Sequence, residues 1–358
     1  MTDWIIRRGD DPRINLKSNE LIHPAACALL QTFERELIGL PFHRYPKYGL
    51  AVARIAEHFG REPCELVLTP GSDAAIRSIC HHVANTRGSA AKLILQHPNY
   101  EAWLDTARAR AISIEAIVDD GSGVESQGRA LLGAAAASTH AVIAVSVPNG
   151  PTGACLPRHQ LEQLIELAEA RDHLLVIDSC YQAFCGPLLE YTAIRSPRVL
   201  TLQTLSKSHG LAACRISLLI GMPTLLRELA PEPLEHMVSA HSLGMACLAL
   251  DAGARFEAIW ADIGAVRANV ASALEQFGLA SLPSGGNFLN VALGSDELAT
   301  ETTRLLSEAG YRVRDVSGLP GLAGAIRFTI ADEQTMRRFV PVLRSCVDQA
   351  RADHTRGS

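Results

Sequence analysis

The sequence lacks several features that would assign it to common classes of protein. No apolar run approaches the length of about 18 residues that a membrane-spanning helix needs, and residues 1–8 have no apolar stretch of the kind found in signal peptides. The net charge of −5 gives no basic excess of the kind that nucleic-acid-binding domains carry. The nine cysteines form no C-x-x-C pair, which favours scattered reduced thiols. We therefore expect a cytoplasmic protein with no bound metal, no nucleic-acid partner and no membrane partner.

Short apolar segments rich in Val, Ile and Leu recur between residues 65 and 221, and helical segments separate them. This alternation is typical of a mostly parallel sheet that helices cover on both faces. Ligands of such sheets bind beyond the carboxyl ends of the strands, so the residues at those ends are the candidates for a site. We predict seven strands, at residues 65–69, 91–96, 112–118, 141–146, 174–178, 199–203 and 216–221.

The remainder of the chain predicts a second, smaller unit. Residues 251–277 have the periodicity of a long helix, and the segment after them mixes strand-like and helical patterns. We expect this α+β part to pack with the beginning of the chain. The predicted division is an N-terminal arm at 1–40, a large domain at 41–250 and a small domain at 251–358.

Lys207 follows the predicted strand at 199–203, with hydroxyl residues beside it and Arg215 eight residues later. A lysine amine at the end of a buried strand is suited to form a Schiff base with an aldehyde cofactor. Ser206 and Arg215 can then anchor a phosphate group on that cofactor. A single lysine is more often a surface residue, so this interpretation depends on what the other strand ends carry.

Three of those residues suit the ring of pyridoxal phosphate (PLP). Asp178 closes a predicted buried strand, where a carboxylate needs a partner, and a protonated pyridine nitrogen supplies one. Tyr181 and Asn149 can donate a hydroxyl and an amide hydrogen to the phenolic oxygen. Taken singly, each residue has an ordinary structural alternative: a helix-capping aspartate, a half-buried tyrosine and a turn asparagine.

Two further strand ends suit the phosphate and the face of the ring. Gly71, Ser72 and Asp73 lie between a predicted strand and a predicted helix, where free backbone N–H groups and the helix dipole attract anions. Glycine turns of this kind are common in α/β proteins, so the segment is weak evidence alone. Tyr100 follows the next strand and can stack its ring on the pyridine.

In this order the segments resemble the class I and II aminotransferases, and within them the histidinol-phosphate aminotransferases and threonine-phosphate decarboxylases. The resemblance covers nearly the whole chain and implies PLP as cofactor in the type I fold of PLP enzymes. That fold is an α/β structure with a mostly parallel seven-stranded sheet between helices and a smaller α+β domain. His43-Arg-Tyr-Pro46 resembles the family's Arg-Tyr-Pro segment. The resemblance therefore implies a homodimer in which Tyr45 reaches the cofactor phosphate of the neighbouring subunit.

The same resemblance implies a set of substrate-binding residues. Asn19 lies in a segment like the family's Asn-Glu, and Arg314 and Arg327 lie in segments like the paired arginines that hold the substrate's acidic group. Leu21 stands where the family usually has a tyrosine that helps to hold substrate, and Ser179 stands where it usually has a glutamate. These departures indicate a remodelled substrate end and point away from histidinol phosphate.

We therefore expect an aminotransferase that moves an amino group between an amino acid or amino-alkyl phosphate and a 2-oxo acid. Lys207 would serve as the base at Cα, and Arg327 would bind the substrate carboxylate. Decarboxylation, elimination or cyclisation stays open, because the orientation of the bonds at Cα decides which of them breaks. A non-catalytic cofactor-binding sensor is less favoured. Such regulators carry a basic winged-helix domain ahead of this fold, whereas here we expect the fold to begin by about residue 15.

Overall fold

The computed structural model describes residues 11–41, 43–119, 122–187, 190–229 and 237–357. The segment at residues 1–8, which we expect to contain no signal peptide, lies outside these ranges. Within them, no helix combines the length and the apolar character needed to cross a membrane.

Thirteen strands and twelve α-helices are numbered here along the described chain. The strands are β1 (Ile14–Asn15), β2 (Leu66–Thr69), β3 (Lys92–His97), β4 (Ser113–Val118), β5 (Val142–Ser146), β6 (Leu174–Asp178), β7 (Val199–Thr204), β8 (Ser217–Gly221), β9 (Ala280–Leu282), β10 (Phe288–Ala292), β11 (Tyr311–Arg312), β12 (Arg314–Asp315) and β13 (Ala325–Thr329). The helices are α1 (Pro24–Glu36), α2 (Tyr48–His58), α3 (Ser72–Arg87), α4 (Glu101–Ala109), α5 (Val124–Ala136), α6 (Arg158–Ala170), α7 (Leu205–Ser208), α8 (Pro223–Leu229), α9 (Ala240–Asp251), α10 (Gly253–Gln276), α11 (Asp296–Glu308) and α12 (Glu333–Gly357).

The central sheet has seven strands in the order β2-β8-β7-β6-β5-β3-β4. Strands β3 to β7 pair in parallel with one another, whereas β8 is antiparallel to both β2 and β7. The predicted α/β fold with a mostly parallel seven-stranded sheet is confirmed. Because the parallel strands run in one direction, their carboxyl ends meet at one edge of the sheet.

Helices cover both faces of this sheet, as its apolar strands require. Successive residues of β6 point to opposite faces: Val176 packs with Ile79 of α3 and Trp103 of α4, whereas Ile177 packs with Leu164 of α6. Every residue of β5, β6, β7 and β8 is buried. This burial on both sides fixes the backbone that carries the strand-end residues.

A smaller sheet of order β12-β13-β10-β9 is antiparallel throughout. Helices α10 and α12 pack with it in a core that includes Phe256, Phe328 and Phe339. The N-terminal segment joins this part: β1 pairs with β11, and Leu16 N–H donates to Arg312 O at 2.8 Å. The domain boundaries at residues 40 and 250 stay a prediction.

The predicted long helix at 251–277 is divided from the helix before it at a single residue. Helix α9 ends at Asp251 and α10 begins at Gly253. Ala252 between them has φ −84° and ψ 19°, which departs from helical geometry. The prediction of a long helix was thus right in type, and its beginning differs by two residues.

Candidate active site

The carboxyl end of β2 leads directly into α3, which begins at Ser72. Gly71 caps this helix with φ +87°, and a Cβ atom at this position would overlap the guanidinium group of Arg215. Glycine is therefore required both for the backbone conformation and for the close approach of Arg215. The free N–H groups of the first turn, including that of Asp73, and the half-exposed guanidinium converge on one place, which suits a phosphate.

Asp73 holds two other predicted site residues. Its Oδ2 lies 3.3 Å from Arg215 Nη2, and its Oδ1 accepts a hydrogen bond of 2.7 Å from the hydroxyl of Tyr100. Burial, with the contact to Asp73, raises the pKa of the Tyr100 phenol, so the hydroxyl stays a donor. Asp73 thereby ties the arginine at the phosphate position to the aromatic ring.

Lys207 and Ser206 lie in the one-turn helix α7 at the end of β7. The hydroxyl of Thr204 caps this helix by accepting from the Ser206 N–H at 3.2 Å. The amine of Lys207 donates to the carbonyl oxygen of Ser18 at 2.8 Å. The N-terminal segment therefore fixes the position of the lysine amine.

Asp178 closes the neighbouring strand β6 and is buried. Its Oδ1 accepts from the Cys180 N–H at 3.1 Å, and no basic side chain of the described residues forms an ion pair with it. Burial raises the pKa of this carboxyl group, because the charged form loses its water. A cation placed beside Asp178, such as a protonated pyridine nitrogen, would reverse that effect.

Asn149 and Tyr181 each have one hydrogen that their contacts within the protein do not use. One amide hydrogen of Asn149 goes to Pro98 O at 3.2 Å, and its Oδ1 accepts from Thr152, which leaves the second hydrogen of the amide. The hydroxyl oxygen of Tyr181 accepts from Asn19 Nδ2 at 3.0 Å, which leaves its own hydrogen to donate. Asn19, a predicted substrate residue, thus orients Tyr181.

Arg327 lies on β13, an interior strand of the small sheet, and is only 7% exposed. Its Nη2 donates to Lys17 O at 3.3 Å, its guanidinium carbon lies 5.2 Å from the centre of the Phe288 ring, and its Nε is buried without a hydrogen-bond partner among the described residues. Burial lowers the pKa of this arginine, and no carboxylate within the described ranges forms an ion pair with it. A buried guanidinium that has an unpartnered N–H group and no ion pair among the described residues is suited to an anionic ligand.

Arg314 lies on β12 directly opposite Arg327 on β13. Unlike Arg327, it has a carboxylate partner, because its Nη2 donates to Glu101 Oε1 at 2.8 Å. Tyr45, the last predicted site residue, is 83% exposed on the single chain. The structure of one chain therefore leaves its predicted role across a dimer interface untested.

Sequence reasoning missed several residues that shape the site. Asn290 of β10 donates to the carbonyl oxygens of Pro151 at 3.1 Å and Thr152 at 2.9 Å, and so holds the loop that carries Asn149. Phe288 supports Arg327, and Glu101 pairs with Arg314. Asparagine in a buried apolar strand was the available signal for Asn290, whereas Glu101 follows no pattern, because its partner lies 213 residues away.

The arrangement fits PLP on three observations of the structure itself. A buried carboxylate with no ion pair among the described residues lies at Asp178, and a helix N-terminus with an arginine lies at Gly71. A fixed lysine amine lies just after β7, which is between β2 and β6 in the sheet. PLP carries a basic nitrogen, a phosphate and an aldehyde, which match these groups one to one.

Residues 11–343 match the family model described as aminotransferase class I and II. The histidinol-phosphate aminotransferase of Granulibacter bethesdensis is 29% identical over 354 residues, covering 96% of this chain and 92% of the relative. That of Xylella fastidiosa strain 9a5c is 30% identical over 317 residues, covering 84% and 83%. The solved structure of histidinol-phosphate aminotransferase from Sinorhizobium meliloti in complex with pyridoxal-5'-phosphate has a TM-score of 0.81 at 21% identity, covering 98% and 95%.

The fold and the strand-end site define a PLP-dependent transferase of fold type I. More particularly, the chain belongs to the class I and II aminotransferase family, and it is a PLP-dependent aminotransferase that acts on small-molecule amino and oxo substrates. The predictions of family, cofactor and reaction class are confirmed.

Proposed function

We propose that this aminotransferase acts on an amino acid whose carboxylate is bound by Arg327, with a 2-oxo acid as the second substrate. The observation that carries the proposal is the buried guanidinium of Arg327, whose Nε has no partner within the described ranges. A carboxylate accepts two parallel hydrogen bonds from a guanidinium and neutralises it. Some relatives are named for histidinol phosphate, but the departures at Leu21 and Ser179 favour a different side chain on the substrate.

The proposed roles toward the cofactor follow from the contacts described above. Lys207 would bond its aldehyde, Asp178 would pair with its pyridine nitrogen, and Tyr100 would lie against the ring. Tyr181 and Asn149 would donate their remaining hydrogens to the phenolic oxygen. The phosphate would be held by a separate set of donors and one orienting acid: Gly71, Ser72, Asp73, Ser206 and Arg215.

When bound, PLP supplies an electron sink that weakens the bonds at the substrate's Cα. The protein decides which of those bonds breaks. Arg327 fixes the carboxylate, and this orients the Cα–H bond toward the amine of Lys207. Lys207 then takes the Cα proton as a general base, while the hydrogen bond from Asn19 keeps Tyr181 in place.

A substrate panel tests this proposal. The purified holoenzyme is incubated with single amino acids, amino-alkyl phosphates and 2-oxo acids, and products are identified by mass spectrometry together with cofactor absorbance. We expect a 2-oxo acid from the amino donor and a new amino acid from the acceptor. Release of carbon dioxide or of a side-chain group as the main product would instead establish decarboxylation or elimination.

Arg327→Lys tests the carboxylate contact. Lysine keeps the charge but loses the planar pair of donors, so kcat/KM for the amino acid is expected to fall by about 10- to 100-fold, the equivalent of one charge-assisted hydrogen bond. The cofactor spectrum should not change, because Arg215 rather than Arg327 is assigned to the phosphate.

Arg344→Lys is the matched control, because Arg344 also lies over an aromatic ring, at 4.6 Å from Phe277, but on the exposed face of α12. It should leave kcat/KM within about twofold of wild type. A loss of bound PLP in Arg327→Lys would contradict the assignment and place Arg327 among the cofactor residues.

We also propose a cytoplasmic homodimer with shared active sites. Two-fold dimers are the commonest soluble oligomers, and Tyr45, in the segment that resembles the family's Arg-Tyr-Pro, is 83% exposed on the single chain. All nine cysteines are free thiols, which supports a reducing compartment. Sedimentation of the purified protein and fractionation of its native cells measure these two points.

Mixing two inactive variants tests the shared site. Lys207→Ala and a severely impaired Tyr45 variant are combined under conditions of proven subunit exchange. In a mixed dimer, one site holds both intact residues and the other holds neither, so up to about one quarter of wild-type activity per subunit should return. If activity does not return, Tyr45 serves the site of its own chain.

A further inference from the structure

Glu101 forms an ion pair that joins the two parts of the molecule beside the candidate site. Its Oε1 lies 2.8 Å from Arg314 Nη2. Glu101 begins α4 on the large sheet, directly after Tyr100, whereas Arg314 lies on β12 of the small sheet. The pair therefore connects the residue next to the proposed cofactor-stacking ring with the strand next to the proposed carboxylate clamp.

Arg314 and Arg327 are directly opposite each other on antiparallel strands, so their side chains project from the same face. Burial is the main cause that lowers the pKa of Arg327, and after it Arg314 and Glu101 act on this pKa in opposite directions. We call these three residues the acid-binding cluster. Two guanidinium groups and one carboxylate give it a net charge of +1, which a single substrate carboxylate neutralises.

We propose that Glu101 determines specificity by restricting the enzyme to amino acids with one carboxylate and a neutral side chain. This inference rests on the function proposed above. A second anionic group, whether a carboxylate or a phosphate, would need Arg314 as its partner. Glu101 occupies that partner and repels the incoming anion, so the site discriminates against dianionic substrates by a built-in like charge.

The exposure of the pair makes the proposal testable by substitution. The side chains of Arg314 and Glu101 are 38% and 64% exposed. Loss of Glu101 therefore leaves a hydrated arginine rather than a buried unpaired charge, and Glu101→Gln is expected to fold and bind PLP normally. The substitution frees Arg314 for an anionic side chain without altering the residues assigned to the cofactor.

The experiment compares L-glutamate with L-glutamine, which match in length and differ in charge. Wild-type holoenzyme should favour glutamine in kcat/KM, and Glu101→Gln should lower this preference by about tenfold. The change should come through the KM for glutamate, with a smaller effect on glutamine. Binding of the unreactive acids glutarate and pentanoate, followed by cofactor absorbance, gives a second measure without turnover. Glutarate should bind Glu101→Gln about tenfold more tightly than wild type, with a smaller effect on pentanoate.

Three variants establish that Glu101 acts through Arg314. Glu101→Asp should retain most of the wild-type preference, and Glu101→Gln should have no effect on it in an Arg314→Gln background. Glu308→Gln, which removes a similar exposed partner from Arg304 on α11, should leave the preference for glutamine unchanged.

Two results would overturn the inference. The first is a wild-type enzyme that prefers glutamate to glutamine, or that binds glutarate more tightly than pentanoate. The second is a Glu101→Gln variant in which neither this preference nor the relative binding of the two acids changes. A wild-type enzyme that converts no amino acid in the panel overturns the proposed function instead.

Discussion

Lys207→Ala is expected to lose turnover by about 10⁴-fold, the upper range for removal of a general base, with a further loss from the missing covalent bond to the cofactor. The fold should persist, because Lys207 lies in a one-turn helix whose cap is made by Thr204 rather than by the lysine. Steady-state kinetics with the best amino donor from the panel measure the loss, and circular dichroism checks the fold.

Lys92→Ala is the control for this variant. Lys92 begins β3 and pairs with Glu115, so it is a partly buried lysine at the opposite end of a strand in the same sheet. Its replacement should leave turnover within about twofold of wild type. If Lys207→Ala retains turnover near that of Lys92→Ala, the base at Cα is a different residue.

Asp178→Asn is expected to reduce kcat by about 100-fold or more, because a preorganised charge at the cofactor nitrogen matters most when charge develops in the transition state. Asparagine has nearly the same shape, so the contact with the Cys180 N–H should survive. Asp172→Asn is the control, since Asp172 lies just before the other end of the same strand, where it pairs with His140 and Arg198. Near-normal kcat in Asp178→Asn would show that the residue is misassigned.

Asp178→Asn is expected to lower kcat but to stabilise the cofactor-free protein. Burial raises the pKa of Asp178 above its value in the unfolded chain, so the folded state binds the proton more tightly. The free energy of unfolding then falls as the pH rises above about 4, the usual pKa of an aspartate. At neutral pH, Asp178→Asn removes the free-energy cost of burying a charged carboxylate. The cofactor-free variant should melt at or above the wild-type temperature, whereas added PLP should stabilise it less than wild type.

The central sheet could be predicted because most of its strands are nearly continuous apolar runs of four to six residues, and β5 to β8 are buried at every residue. The cofactor residues were found for a related reason. Asp178 and Asn149 lie at or just after strand ends, and Lys207 lies in the helix that follows one. Parallel strands bring such positions together at one edge of the sheet, independently of the sequence of the loops.

The substrate end depends on contacts that leave no local pattern. Asn19 orients Tyr181 from a left-handed backbone with φ 52°, and Arg215 reaches the helix N-terminus with φ 48°. Such conformations are strained for residues with side chains and are imposed by their surroundings. The pairing of Glu101 with Arg314 likewise joins two parts of the chain that only the tertiary structure brings together.

The central claim is that Lys207 holds PLP at the carboxyl edge of the sheet. Borohydride reduction of the purified holoenzyme, followed by proteolysis and mass spectrometry, tests it directly. We expect one reduced phosphopyridoxyl group per chain, on the peptide that contains Lys207, and none on Lys92. A cofactor fixed to another lysine, or a colourless protein that gains no absorbance when PLP is added, would contradict this assignment of Lys207.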